Sequence, residues 1–156
     1  MFVIDNTVIS NFAKVGKLKL LKDILRDAII TKEVLEEFTL GLKRGILPKV
    51  ELPFEVVELK NEEIRLYEKL HVSLGKGEAS CIAVAKNRKR IFLSDDLDAR
   101  KTAYLLGVKV SGTIGVLALG VKTGILTLKE ADEILRAMVK NGFYSPIDSL
   151  GEIMKK

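Results

Sequence analysis

The amino-acid sequence predicts an α/β fold built on a mainly parallel sheet. Short apolar runs recur along the chain with little polar alternation, which is typical of strands that are buried on both faces. Amphipathic stretches at helical spacing separate these runs. Strands that alternate with helices favour a parallel sheet. The length suits one domain, which we place over residues 1–156.

Five short apolar runs are predicted to be strands, and each stops at a polar residue or a turn. They lie, in chain order, at residues 2–4, 28–30, within 54–59, at 91–93 and at 108–110. The first run ends at Asp5, the second at Thr31 and the fourth at Ser94. Such short runs with little alternation suit strands that are covered on both faces.

Helices are predicted between these strands from the spacing of apolar residues. They cover residues near 18–25, 34–42, 61–70, 78–86, 99–106 and 127–138. Gly107 and Gly142 are predicted to end the last two. Thr127 and Glu130 have the spacing of a capping box at the start of the last helix.

The composition excludes a disulfide scaffold and a structural zinc site. The chain has one cysteine, so no intrachain disulfide can form, and one cysteine with one histidine cannot supply the four ligands of structural zinc. The net charge of +5 permits an anionic partner. No membrane span or export segment is apparent, and we therefore expect a cytoplasmic protein.

Carboxylates follow two of the predicted strands. Asp5 comes directly after the first strand, and Asp95 and Asp96 come just after the fourth. In an open parallel sheet, ligands bind outside the carboxyl ends of the strands. The sequence therefore predicts that these acids share one edge of the sheet.

Two helix acids are candidates to join that edge. Glu78 lies in the first turn of its helix, on the same face as Cys81 and Ile82. Glu37 lies nearer the apolar face of its helix than Glu36 does. Carboxylates that converge without basic partners repel one another and need a cation. All-oxygen ligands favour Mg²⁺ or Mn²⁺, the ions of two-metal nucleases.

Five segments in this order are similar to those of a known family. They are residues 3–7 (VIDNT), 34–38 (VLEEF) with Gly41, 75–79 (GKGEA), 93–96 (LSDD) and 106–113 (LGVKVSGT). On this ordered set, over residues 2–120, the chain resembles the PIN-domain ribonucleases, and within them the toxins of toxin–antitoxin pairs. The resemblance implies a three-layer α/β/α, Rossmann-like fold.

The resemblance also implies an activity, a site and partners. The activity is RNA cleavage that depends on Mg²⁺ or Mn²⁺, and the partners are RNA, a small antitoxin protein and a second copy in a homodimer. The catalytic acids and metal ligands are Asp5, Glu37, Glu78 and Asp96, with Asp95 as the alternative for the fourth. The chain departs from the family in having Glu at the third acid and Asn, where Thr is usual, after Asp5.

Each of these acids also has a simpler structural interpretation. Asp5 could only end a strand, and Glu78 could only complement a helix dipole. One of Asp95 and Asp96 could cap the next helix, and Glu37 could be a solvated helix acid.

Candidate contacts to substrate come from three further residues. Lys14 and Lys17 follow the first strand and are predicted to bind phosphate groups. Thr113 is predicted to contact a metal-bound water or to cap the helix that starts near it. The basic run at residues 86–90 precedes the fourth strand, so we place it at the opposite edge of the sheet, as a solvated end of a helix.

Two rival functions fit parts of the pattern. A phosphatase of the haloacid-dehalogenase type would use Asp5, Thr31 and the pair Asp95–Asp96, but such enzymes need an acid where this chain has Thr7. A non-catalytic binding module would keep the acids for stability or for partner contact. A gain in thermal stability with Mn²⁺ would separate a working metal site from such a module.

Overall fold

Five parallel strands form one sheet in a computed structural model that describes residues 1–47 and 49–154. The strands are β1 (Phe2–Ile4), β2 (Ala28–Thr31), β3 (Glu55–Val57), β4 (Ile91–Leu93) and β5 (Val110–Ser111). Their order across the sheet is β3-β2-β1-β4-β5. The predicted α/β class and parallel sheet are confirmed.

The described residues contain eight α-helices, which cover the sheet to give a three-layer α/β/α fold. They are α1 (Asn6–Lys14), α2 (Leu18–Leu25), α3 (Lys32–Lys43), α4 (Asn61–Leu70), α5 (Lys76–Arg88), α6 (Leu97–Leu105), α7 (Thr113–Lys122) and α8 (Leu128–Lys140). In one layer, α1 contacts α2, α2 contacts α7, α7 contacts α8 and α8 contacts α1. In the other layer, α5 contacts α3, α4 and α6. A short 3₁₀ helix, Leu150–Glu152, follows α8.

The strand order reverses its direction next to β1. The chain passes from β1 to β2 on one side and later returns to β4 on the other side. Ile4 is paired with Leu93, and the Asp5 N–H donates to the Leu93 carbonyl at 2.9 Å. Asp5 and Ser94 therefore leave the sheet side by side, in the crevice where open α/β sheets bind ligands.

Helix α1 was not predicted from the sequence. Its first half contains the β-branched residues Thr7, Val8 and Ile9, which disfavour a helix because their side chains are restricted at χ1. Burial overrides this preference, since Val8, Ile9 and Phe12 are fully buried in the core, where α1 contacts α2, α3 and α8. Asp5 caps the helix by accepting from the Asn6 N–H.

None of the helices in the described part of the chain combines the length and the apolar character that a membrane crossing requires.

Candidate active site

A cavity of about 1330 Å³ lies beyond the carboxyl ends of β1 and β4. The five acids that the sequence singles out all line it: Asp5, Glu37, Glu78, Asp95 and Asp96. Two cations, Lys14 and Arg100, are part of the same lining, as is the turn after α8 with Phe143 and Tyr144. The structure thus brings together the predicted acids from four separate segments of the chain.

Asp5 is held at the floor of this cavity by three hydrogen bonds. It is only 1% exposed. Its Oδ1 accepts from the Asn6 N–H at 2.8 Å. Its Oδ2 accepts from the hydroxyls of Thr7 and Ser94, at 3.0 and 2.8 Å. The orientation of this carboxylate is therefore fixed by the first turn of α1 and by the residue that follows β4.

The two hydroxyls that donate to Asp5 also tie it to the loop after β4. Thr7 Oγ1 accepts from the Asp95 N–H at 3.0 Å, and Ser94 Oγ accepts from the Asp96 N–H at 3.1 Å. Each hydroxyl thus accepts one hydrogen bond from a backbone N–H of the loop after β4 and donates one to Asp5. Sequence analysis missed this pair, although Thr7 and Ser94 each lie two residues from a predicted acid.

Asp95 and Asp96 use their oxygens differently. Asp95 Oδ1 accepts from the Thr113 N–H at 2.8 Å. Asp95 Oδ2 accepts from the Thr113 hydroxyl and from Asn11 Nδ2, the latter at 2.8 Å. Asp96 caps α6 through Oδ2, which accepts from the Ala99 N–H at 2.8 Å. Both oxygens of Asp95 are engaged in this way, whereas Asp96 keeps one for the cavity.

Glu37 and Glu78 reach the cavity from two helices that pack together. A Cβ atom placed on Gly77 would lie 1.9 Å from Glu37 Oε1, so the absence of a side chain at Gly77 gives Glu37 its room. Glu78 Oε1 accepts from the Gly75 N–H at 3.3 Å. This bond orients Glu78 at the N-terminus of α5, where a helix favours negative charge.

Burial and mutual repulsion raise the pKa values of three acids in this cavity. Burial raises the pKa of Asp5, and the charge of Asp96 adds to the effect against the hydrogen bonds that oppose it. Glu37 stays largely exposed, and a partial loss of solvent together with the charge of Asp5 raises its pKa. Burial, with Asp96 and Asp5 nearby, raises the pKa of Glu78 to about 7. Crowded carboxylates behave in this way when no cation neutralises them.

This repulsion predicts that the metal-free protein loses stability as the pH rises from about 5 to about 8. A carboxyl group with a higher pKa in the folded state than in the unfolded state binds more protons when folded, so its contribution falls as the pH rises through that interval. For Glu78 the loss is roughly 1–3 kcal/mol after allowance for screening by solvent. The measurement is denaturant unfolding in EDTA across this pH range.

A matched pair of variants assigns that pH dependence. Glu78→Gln should flatten the curve, because its amide does not titrate. Glu36→Gln, on the exposed side of α3, should leave the curve unchanged. Equal losses of stability in the parent protein and in Glu78→Gln would show that Glu78 is not responsible.

The donor set fits a hard divalent cation. Among the described residues, no salt bridge joins any of the five acids to a lysine or an arginine. Asn6 Oδ1 lies in the same lining, buried and without a hydrogen-bond partner in the described ranges. These are oxygen ligands, which Mg²⁺ and Mn²⁺ prefer.

The arrangement does not form a closed metal cage. Within residues 1–47 and 49–154, no three carboxylate, imidazole or thiolate groups stand close enough together to enclose an ion. Mg²⁺ is usually bound by one or two carboxylates, with waters and substrate phosphates as its other ligands. An open cavity lined by carboxylates suits that mode of binding and does not suit a structural site.

Of the three predicted substrate contacts, Lys14 lies in the lining of the cavity, and Lys17 and Thr113 lie outside it. Lys14 lines the cavity, whereas Lys17 is exposed at the start of α2, outside the lining. Thr113 is fully buried behind Asp95 and supports that carboxylate. Arg100, which sequence analysis missed, lines the cavity, and its Nη1 donates to the Ser94 carbonyl at 2.8 Å. Its position one helical turn after Asp96 is the signal that could have indicated it.

The basic run at residues 86–90 lies away from the acids. Arg88 forms an ion pair with Glu63, with Nε and Oε2 2.8 Å apart. Arg90 Nη1 donates to Asp27 Oδ1 at 2.9 Å. Lys86 Nζ donates to the Leu106 carbonyl. These cations fasten the end of α5 to neighbouring segments, and none of them lines the cavity.

Comparison with known proteins gives an independent indication of the family. A family model described as a PIN domain matches residues 1–156, the full length of this chain. A search of curated proteins finds no match.

Proposed function

Because the chain belongs to the PIN-domain family, whose fold is of a nuclease type, we propose that it is a metal-dependent endoribonuclease that hydrolyses phosphodiester bonds of RNA. One observation carries the proposal. Six carboxylates from four segments, the five named acids and Asp98, line a single cavity, and no salt bridge within the described residues neutralises any of them. Such a concentration of negative charge excludes a phosphate group unless a cation is bound between them.

In this proposal Asp5, Glu37, Glu78 and Asp96 hold one or two Mg²⁺ or Mn²⁺ ions. When bound, such ions supply an activated water and neutralise the charge that develops on the phosphate oxygens. We assign the fourth acid to Asp96, because its charge acts on both Asp5 and Glu78 and that of Asp95 does not.

The protein's own contribution is to hold these groups in place. Backbone N–H groups anchor three of the acids: that of Asn6 binds Asp5, that of Gly75 binds Glu78, and that of Ala99 binds Asp96. Lys14 and Arg100 supply positive charge in the same lining for the phosphates of the substrate. Water adds to phosphorus in line with the P–O3′ bond, which breaks; one proton of the water is lost to solvent and the departing 3′-oxygen takes one up, so that the products are a 5′-phosphate and a 3′-hydroxyl. Fixed groups lower the barrier because they need little reorganisation during the reaction.

The experiment that tests this function is cleavage of a labelled single-stranded RNA in Mn²⁺, in Mg²⁺ and in EDTA. We expect cleavage with either ion and none in EDTA. Hydrolysis of a phosphate monoester without cleavage of RNA would favour the rival phosphatase. That rival is already opposed by Thr31, which is fully buried, caps α3 and bonds to Ser80 at 2.7 Å. A melting temperature that does not respond to Mn²⁺, together with intact RNA, would favour a non-catalytic module.

A change at Gly77 should reduce cleavage without unfolding the protein. In Gly77→Ala the new methyl group would overlap Glu37 Oε1, so the Glu37 carboxylate must move. A displacement of about 1 Å at a catalytic group can lower the rate about 10²-fold. The fold should survive, because the overlapping atom is the mobile end of a side chain and alanine favours a helix over glycine.

The measurement is a double-mutant cycle on the rate of RNA cleavage. If Gly77 acts through Glu37, adding Gly77→Ala to Glu37→Ala should cost nothing further. Full additivity of the two rate losses would mean that Gly77 has some other role.

The toxin role, the antitoxin partner and the homodimer, which the resemblance implies, stay predictions.

A further inference from the structure

We propose that Tyr144 is a stacking site for an unpaired base of single-stranded RNA next to the cleavage site. The inference rests on the proposed function and names the form of its substrate. Tyr144 follows the last helix of the layer formed by α1, α2, α7 and α8, far along the chain from the acids. It lines the same cavity as Asp5 and Asp96.

The exposure of Tyr144 is the first observation. Its side chain is 93% exposed, more than any other large apolar side chain in the described residues. It forms no hydrogen bond and stacks on no other aromatic ring within those residues. Phe143, by contrast, packs partly against the core. A phenol ring that protrudes beside a polar cavity offers a flat apolar surface to a ligand.

The backbone that carries this ring is fixed on both sides. Gly142 has φ +103°, which favours glycine, and the Phe143 N–H donates to the Met138 carbonyl at 3.0 Å. After Tyr144, Ser145 Oγ donates to the Ile147 carbonyl at 2.6 Å and accepts from the Ile147 N–H at 3.2 Å. A tyrosine on a fixed turn loses little conformational entropy when it binds.

Two cations in the lining are placed to bind the phosphates of a nucleotide whose base lies on this ring. Arg100 and Lys14 line the cavity with Tyr144, and the guanidinium of Arg100 is held by the Ser94 carbonyl. Phosphates can bind the cations while a base stacks on the phenol ring, which is how proteins bind single strands without reading sequence. A base in a duplex is already stacked within the helix, so this site selects unpaired RNA.

The test uses the full chain and a short labelled oligouridine, with and without one abasic position, and a duplex of the same length. Tyr144→Ala should weaken binding of the single strand about 10-fold or more, because stacking on an aromatic ring has effects of that size. Tyr144→Phe should restore affinity, since the ring is kept. Tyr104→Ala removes a tyrosine that is 77% exposed outside this cavity and serves as the matched control. The affinity of Tyr104→Ala for the single strand should equal that of the parent.

Intrinsic fluorescence gives a second readout. The chain has three tyrosines and no tryptophan, so stacking at one tyrosine is visible. Oligouridine should quench the parent protein more than it quenches Tyr144→Phe. For the RNA with an abasic position at the stacking site, the difference in affinity between the parent and Tyr144→Ala should vanish.

The outcomes separate this inference from the proposed function. Suppose that the parent binds single-stranded RNA, that Tyr144→Ala weakens this binding and that Tyr144→Phe restores it, but that neither ion supports cleavage. The stacking site then stands and the nuclease fails. If Tyr144→Ala binds and cuts the single strand like the parent, the nuclease stands and the stacking site fails. An equal loss of affinity for single strand and duplex also overturns the stacking site. Absence of any RNA binding by the parent overturns both.

Discussion

Asp5→Asn should lower the rate of RNA cleavage by about 10³-fold or more and should raise the melting temperature of the metal-free protein. The rate falls because loss of a metal ligand removes several kcal/mol of stabilisation from the transition state. The stability rises because Asp5 is almost fully buried and burial raises its pKa, so an uncharged amide costs less to bury at neutral pH than the carboxylate does.

Two measurements on one preparation check this result: single-turnover cleavage in Mn²⁺ and thermal unfolding in EDTA. Asp23→Asn, an exposed acid on α2, is the control and should change neither quantity. Cleavage by Asp5→Asn at the rate of the parent would show that Asp5 is not a catalytic ligand. A lower melting temperature would show that the bonds from Thr7 and Ser94 need the charged form.

Asp95→Asn and Asp96→Asn should have opposite consequences although the residues are adjacent. Asp96→Asn should lower cleavage about 10²- to 10³-fold with little change in stability, because asparagine caps a helix as well as aspartate does. Asp95→Asn should lower stability by roughly 1–3 kcal/mol. Its amide nitrogen accepts no hydrogen bond, so in one orientation the Thr113 N–H loses its acceptor, and in the other the Thr113 hydroxyl and Asn11 Nδ2 lose theirs.

The measurements are denaturant unfolding and single-turnover cleavage for both variants. Cleavage that is lost in Asp95→Asn and kept in Asp96→Asn would reverse the assignment of the fourth acid. The pair is informative because each variant is the control of the other, with the same change of charge at neighbouring positions.

The strand ends explain why much of the acidic lining could be predicted from the sequence. Asp5 and Asp96 come after apolar runs that are buried on both faces, and parallel strands bring the residues at their carboxyl ends to one edge of the sheet. Glu78 was indicated by its place in the first helical turn, in line with a buried face. These are local signals, since each needs only the few residues around it and the topology common to parallel sheets.

The rest of the cavity depends on contacts between distant segments, which local patterns do not specify. Tyr144 reaches the cavity only because α8 packs on α1 and ends beside it. The role of Gly77 depends on how closely α5 approaches Glu37. Helix α1 was missed because its β-branched residues disfavour a helix locally, and tertiary burial outweighed that preference.

A crystal soaked in Mn²⁺ and measured for anomalous scattering tests most directly whether these carboxylates bind a divalent ion. We predict an anomalous peak in the cavity within binding distance of Asp5 and of one or both of Glu78 and Asp96 once their side chains close on the ion, and its disappearance in Asp5→Asn. Ordered Mn²⁺ elsewhere in the crystal, with no peak among these three carboxylates, would contradict the account.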